Sequence, residues 1–176
     1  RGAAEGVEIK DQPALLEIGK AEVTQNFSNT GGRKVALFGL GNMHALAKKT
    51  AAKLTPEGFD CAIINPRFTK PIDEGTHEFF ANAADVIVTF EDHVLMGGYG
   101  SRVMEVLNER RIHTPVVRIG WPDVFIEHDS TVDYLREKYG LTVEKAFAGV
   151  KAALNGAAGH AIREGASGNL SFARGF

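Results

Sequence analysis

Glu91-Asp92-His93 sets two carboxylates beside an imidazole at the end of an apolar run, Val86-Ile87-Val88-Thr89-Phe90. Such groups exchange protons near neutral pH and ligate metals, so acid–base work and metal binding are the chemistries open to this triplet. No second histidine stands at ligand spacing from His93, and no metal site is expected. The plainer use is hydrogen bonding to a neighbouring domain, and that reading is adopted. Close behind comes Gly97-Gly98-Tyr99-Gly100-Ser101, which feeds a helical pattern. Backbone N–H groups at a helix N-terminus attract anions, and the helix dipole adds to the attraction. Glu91, Asp92, His93, Gly97, Gly98, Gly100 and Ser101 are therefore candidate anion or interdomain contacts. The N–H groups of the turn are expected to point toward solvent or a ligand. The glycines also suit a backbone passing close to another strand.

Gly39-Leu40-Gly41 likewise joins a strand to a helix, and is a competing anion site on the same sheet edge. It is a poor dinucleotide fingerprint. His44 replaces the third glycine, and the second strand ends at Asn65 without a ribose-binding acid. A tight turn is expected there. The loop Asn65-Pro66-Arg67-Phe68-Thr69-Lys70-Pro71-Ile72-Asp73 carries two cations between two prolines. It could hold an anion, or brace a neighbouring domain through Phe68, and bracing is the expectation. In Ile119-Gly120-Trp121-Pro122-Asp123-Val124-Phe125-Ile126-Glu127-His128, large apolar side chains occupy what reads as a surface loop. Trp121, Val124, Phe125, Ile126 and His128 are candidate interface residues, facing a second copy or absent domains. There is no Gly-x-Ser-x-Gly elbow and no Cys/His pair.

The elements that hold these loops alternate along the chain. Strands are expected at 34–38, 61–64, 86–90 and 115–119, as short β-branched runs buried on both faces of a parallel sheet. Helices lie between them. One carries Met43, Leu46, Ala47, Ala51 and Leu54 with Asn42 as N-cap. The next carries Phe79, Phe80, Ala83 and Ala84 with Asp73 as cap. The third carries Val103, Val106 and Leu107. Ser130-Thr131-Val132-Asp133 reads as a capping box for a fourth helix that Gly140 stops, with Val132, Leu135 and Tyr139 inward. Thr142 caps a fifth, whose stripe Val143, Ala146, Phe147, Val150 and Leu154 ends at Gly156. Residues 16–24 could add an edge strand, and 26–32 reads as a hairpin-like turn or loop. Together these give an α/β layered fold.

The chain has 176 residues, 20 Lys+Arg and 22 Asp+Glu, for a net charge of −2. That suits one domain with appendages and argues against a nucleic-acid binder. No stretch approaches the roughly 18 apolar residues of a membrane span. Cys61 is the only cysteine, which excludes an internal disulfide framework and a cysteine zinc site. Residue 1 is arginine, so a fragment or processed product is expected.

Six segments in order resemble the C-terminal part of the 1-deoxy-D-xylulose-5-phosphate synthases, thiamine-diphosphate enzymes related to transketolase. They are Arg1-Gly2, Glu17-Ile18-Gly19-Lys20-Ala21, residues 67–73, Thr89-Phe90-Glu91-Asp92-His93, Met96-Gly97-Gly98-Tyr99-Gly100-Ser101 and residues 120–128. The family usually has Leu at the position of Trp121 and Gly at that of Asp129. The resemblance implies a transketolase C-terminal domain-like fold: three layers, α/β/α, around a five-stranded mostly parallel sheet with one antiparallel edge strand. It implies residues 1–12 as the end of a preceding pyrimidine-binding domain or linker, 13–154 as the domain, and 155–176 as a Gly/Ala-rich extension. Arg1 would be a substrate-phosphate ligand, and no catalytic residue is expected in this stretch. The whole enzyme would use thiamine diphosphate and Mg²⁺ and act on small molecules. It would work as a homodimer in the cytoplasm, or in the plastid of a plant-type source. This chain would pack on the N-terminal domains of the same polypeptide, bind no cofactor itself and be inactive alone. A transketolase, a 2-oxo acid dehydrogenase beta subunit or a stand-alone α/β binding domain are the alternatives.

Overall fold

The computed structural model describes residues 15–29, 31–128 and 130–164. Arg1, the segment expected at 1–12 and residues 165–176 of the extension expected at 155–176 lie outside the described residues. Five strands, β1 (Glu22–Gln25), β2 (Arg33–Gly39), β3 (Phe59–Asn65), β4 (Val86–Val94) and β5 (Val116–Trp121), form one sheet in the order β1-β3-β2-β4-β5. β1 runs antiparallel to β3, and the other pairings are parallel. Among the described residues the sheet is joined by five α-helices: α1 (His44–Leu54), α2 (Glu74–Ala83), α3 (Tyr99–Glu109), α4 (Val132–Tyr139) and α5 (Val143–Glu164).

Period-two alternation sorts the central strands into two cores. Val35, Leu37, Cys61, Ile63, Val86, Val88 and Phe90 pack under α1 and α5. Ala36, Phe38, Ala62, Ile64 and Ile87 pack under α2 and α3. Each large apolar side chain so buried contributes roughly 1.5–3 kcal/mol. The chain steps from β2 outward to β3 and then returns past β2 to β4. The crevice between β2 and β4 is thus a topological switch point, where open α/β sheets seat their ligands. At the carboxyl ends there, Leu40 N–H still pairs with the Phe90 carbonyl at 2.9 Å.

Several expectations are corrected. Residues 26–32 do not close a hairpin, because β3 lies between β1 and β2. The loop is instead pinned to the Asp60 carboxylate, which accepts from Ser28 N–H at 2.8 Å and Asn29 N–H at 2.9 Å. Asn42 does not cap α1. It lies in a 3₁₀ turn, and its amide serves Asp92. Thr131, not Ser130, caps α4 by accepting from Tyr134 N–H. No residue of α4 is buried, and Val132, expected inward, is exposed; Phe79 of α2 is exposed as well. α5 runs through Gly156 and Gly159 to Glu164, since each interior glycine costs a helix only about 1 kcal/mol. Asp73 caps α2 by accepting from Thr76 N–H, and Gly140 stops α4 at φ 80°, both as expected.

Candidate functional site

β4 runs four residues beyond its expected end, so Glu91, Asp92 and His93 are strand residues with separate fates. Glu91 is fully buried. Its carboxylate accepts Tyr99 N–H at 2.6 Å and Gly100 N–H at 2.9 Å. Ser101 and Arg102 N–H groups bond to the Gly98 carbonyl. The anion at the N-terminus of α3 is therefore the protein's own carboxylate. This corrects the expectation that the Gly97–Ser101 turn offers its donors to solvent or a ligand. The Ser101 hydroxyl is engaged too: it donates to the Leu95 carbonyl at 2.9 Å and accepts from Arg118 Nη1 at 3.0 Å.

The glycines make room for this carboxylate. A Cβ on Gly98 would overlap Glu91 Oε2 and the Val94 carbonyl oxygen, and one on Gly120 would come within 2.9 Å of Glu91 Cγ. A Cβ on Gly100 would press on Thr89 Oγ1 at 2.7 Å. Burial raises the Glu91 pKa above the ordinary carboxylate value, and the Gly100 and Tyr99 N–H groups and the charges of His93 and Arg118 oppose the rise.

Asp92 gathers three elements. It accepts from Trp121 Nε1 at 2.6 Å, Asn42 Nδ2 at 2.6 Å and Arg136 Nη2 at 3.0 Å. Desolvation alone would raise its pKa, but these donors outweigh it and hold the carboxyl below the usual range. His93 is left exposed at the lip of a 430 Å³ cleft at the switch point, its Nδ1 3.2 Å from the Val94 carbonyl. Arg102, in the cleft wall, is paired with Glu74 and Glu105.

A second buried chain meets this site. His77 stacks on Phe38 with ring centroids 4.6 Å apart. Its Nδ1 lies 2.7 Å from the Asp73 carbonyl oxygen, an acceptor only, so Nδ1 carries the hydrogen. Nε2 then accepts from the Tyr99 hydroxyl at 2.7 Å. Burial lowers the His77 pKa against the opposing pull of Asp73. A histidine held neutral in the fold stabilises above its ordinary 6.5, and that stabilisation is lost as pH falls toward the lowered folded value. Urea denaturation at pH 7.5 and pH 5.5 reads this component as the difference between wild type and His77→Gln, since Glu91, whose pKa burial raises, acts on the wild-type slope with the opposite sign. His77→Gln should reduce the slope, and an unchanged slope would contradict this assignment. His44, also lowered by burial, leaves a residual slope.

The interface candidates divide. Trp121 ends β5 rather than lying in a surface loop, and packs edge-on to Tyr139 at 5.9 Å. Trp121 and Ile126 are half-buried, whereas Val124, Phe125 and His128 are exposed. Phe68 is half-buried, and Arg67 beside it pairs with Glu22 at 2.8 Å rather than presenting a free cation.

Sequence reasoning missed His77, Arg118 and Arg136. For His77 a signal exists, because it falls on the helical face of Phe80, Ala81 and Ala84. Arg118 and Arg136 act through partners distant in sequence and carry none.

Among the described residues, no three His, Cys, Asp or Glu side chains gather to hold a metal ion. No helix among them is long and apolar enough to cross a membrane. The site joins elements, and it leaves His93 exposed at the lip of the cleft and Val124 and Phe125 facing outward.

The family profile "Transketolase, C-terminal domain" matches residues 23–146. A 1-deoxy-D-xylulose-5-phosphate synthase of Methylacidiphilum infernorum is 53% identical over 146 residues, covering 83% of this chain and 22% of the relative. The synthase of Acidobacterium capsulatum is 47% identical with the same coverage of 83% and 22%. Among solved structures, a split-gene transketolase described as an inactive beta4 tetramer superposes with TM-score 0.71 at 37% identity. That match covers 81% of this chain and 44% of the other. The chain thus spans about a fifth of the length of the curated relatives it matches.

Proposed function

The chain belongs to the transketolase C-terminal domain family, and from that membership we propose that it is the C-terminal part of a 1-deoxy-D-xylulose-5-phosphate synthase. The observation that carries the proposal is 53% identity over 146 residues to a relative of that name. The split-gene transketolase stands lower, at 37%, and the transketolase and dehydrogenase readings are not favoured. In this reading the whole enzyme joins pyruvate to glyceraldehyde 3-phosphate, releases carbon dioxide and forms 1-deoxy-D-xylulose 5-phosphate. It acts as a homodimer in the cytoplasm or plastid.

The described residues do not fit thiamine diphosphate or its Mg²⁺. Of the buried carboxylates, Glu91 has both oxygens on backbone N–H groups, Asp60 and Asp73 are likewise engaged by backbone donors, and among the described residues nothing gathers as a metal-ligand set. No step is assigned to this chain through that group. Its proposed work is bracing: Glu91 and Asp92 lock the carboxyl ends of β2, β4 and β5, while Phe68 and the 121–128 segment meet the rest of the enzyme. Alone, the chain would be inactive. Arg1, as a substrate-phosphate ligand, stays part of this proposal; a guanidinium fork suits a phosphate dianion. The test is domain exchange, in which this chain replaces the matching stretch of the Methylacidiphilum synthase and product formation is measured.

A further inference from the structure

α4 is a helix with no core of its own. None of its eight residues is buried, and Val132 and Tyr134 are 57% and 56% exposed. The segment leading to it holds Phe125 wholly clear of the fold, at 104%, and Val124 at 55%. Between them lies an apolar groove of 540 Å³ walled by Trp121, Ile126 and Leu135. An eight-residue helix does not persist in water by itself, so contacts must hold it. Apart from Tyr139, which packs against the core and edge-on to Trp121, those present are mainly polar. Arg136 pairs with Asp92 at 3.0 Å, Lys138 pairs with Glu127, and the Tyr139 hydroxyl donates to Glu127 at 2.5 Å. They fix where α4 lies and leave an apolar side bare. Contiguous bare apolar surface on a folded domain marks an interaction site.

We propose that α4 and Val124–Phe125 form one docking face for the part of the longer polypeptide that this chain does not span; the inference rests on the synthase reading. The face lies within residues 23–146, the stretch that the family profile matches. The synthase relatives carry about four-fifths of their length beyond the match, which supplies the occupant. A second copy suits the face less well. Glu127 and Asp92 are neutralised by Lys138 and Arg136, which leaves Asp123, and on α4 Asp133 and Glu137, without an ion pair among the described residues. A two-fold contact centred on Phe125 would set two Asp123 carboxylates against each other. The occupant is therefore an apolar surface with a pocket for Phe125 and a cation for Asp123.

Hydrogen exchange of peptides spanning 122–139 tests this, in the chain alone and in the Methylacidiphilum synthase carrying it. Exchange is expected to slow by about tenfold in the synthase and to be insensitive to the concentration of the chain alone. Phe125→Asp should abolish the slowing and leave the melting temperature of the isolated chain unchanged. Equal exchange in both contexts overturns the proposal. Slowing on concentrating the chain alone assigns the face to a second copy and also overturns it. A melting temperature lowered by Phe125→Asp would show that side chain to be core, and it too would overturn the docking face. If the peptides are protected but no product forms, the synthase reading fails while the docking face stands.

Discussion

Gly98→Ala is expected to cost about 3 kcal/mol, the upper part of the range for overpacking a filled site. The cause is steric rather than conformational. Gly98 sits at φ −79°, ψ −170°, extended backbone open to any residue. Its missing side chain is the space that Glu91 Oε2 and the Val94 carbonyl oxygen occupy, with Glu91 Cδ only 2.9 Å from the position a Cβ would take. Neither neighbour can give way. The carboxylate is fixed by two backbone donors, and the carbonyl belongs to β4. In a domain of this size the melting temperature should fall by roughly 6–12 °C. Gly97 is the control. It has φ 68°, and a Cβ placed there would meet nothing within 4 Å, so Gly97→Ala bears only the left-handed penalty of about 1–2 kcal/mol. Thermal denaturation of both variants checks the order, and an equal or larger loss at Gly97 would contradict it.

Removal of the Glu91 carboxylate is expected to have a comparable effect by another route. Glu91→Leu keeps much of the volume and leaves Tyr99 and Gly100 N–H groups without an acceptor in a buried place. An orphaned buried donor costs about 1–3 kcal/mol, so about 3 kcal/mol is expected for the pair. Glu91→Gln retains one acceptor and should lose less. Glu91→Gln should also alter the pH profile, with a sign opposite to that of His77. A carboxyl whose folded pKa is raised contributes stability fully present below its unfolded value of 4.5 and lost as pH rises through the folded value. Asp73 and Asp92 act the other way: donors such as Ala21 and Thr76 N–H hold Asp73 below its ordinary value against desolvation. Their contribution is present above 3.8 and lost as pH falls through the folded values. Subtracting the profile of Glu91→Gln from that of wild type isolates the Glu91 component. A difference that does not decline with rising pH above 4.5 would show that its pKa is not raised.

The sheet was legible because strands buried on both faces write themselves as short apolar runs, and Val35–Phe38, Cys61–Ile64 and Val86–Phe90 are such runs. The caps at Asp73 and Gly140 were legible for a similar reason, since each depends on residues within one turn. What could not be read locally was decided by partners far along the chain. Glu91 and the glycine turn each look like half of an anion site. Only the fold shows that one fills the other, Glu91 reaching forward to Tyr99 and Gly100. Asp92 likewise looks like chemistry until Asn42, Trp121 and Arg136 arrive from three different elements. Trp121 reads as loop because proline follows it, yet its pairing with Val94 makes it strand.

Turnover by the exchanged synthase tests the central claim most directly. The Methylacidiphilum enzyme carrying this chain in place of its matching stretch is mixed with pyruvate and glyceraldehyde 3-phosphate, and carbon dioxide release is followed. The account predicts turnover within about tenfold of the parent, since a tenfold loss corresponds to only about 1.4 kcal/mol of disturbed packing. It also predicts none from this chain alone. A folded exchange protein with no turnover, or carbon dioxide released by the isolated chain, would contradict it.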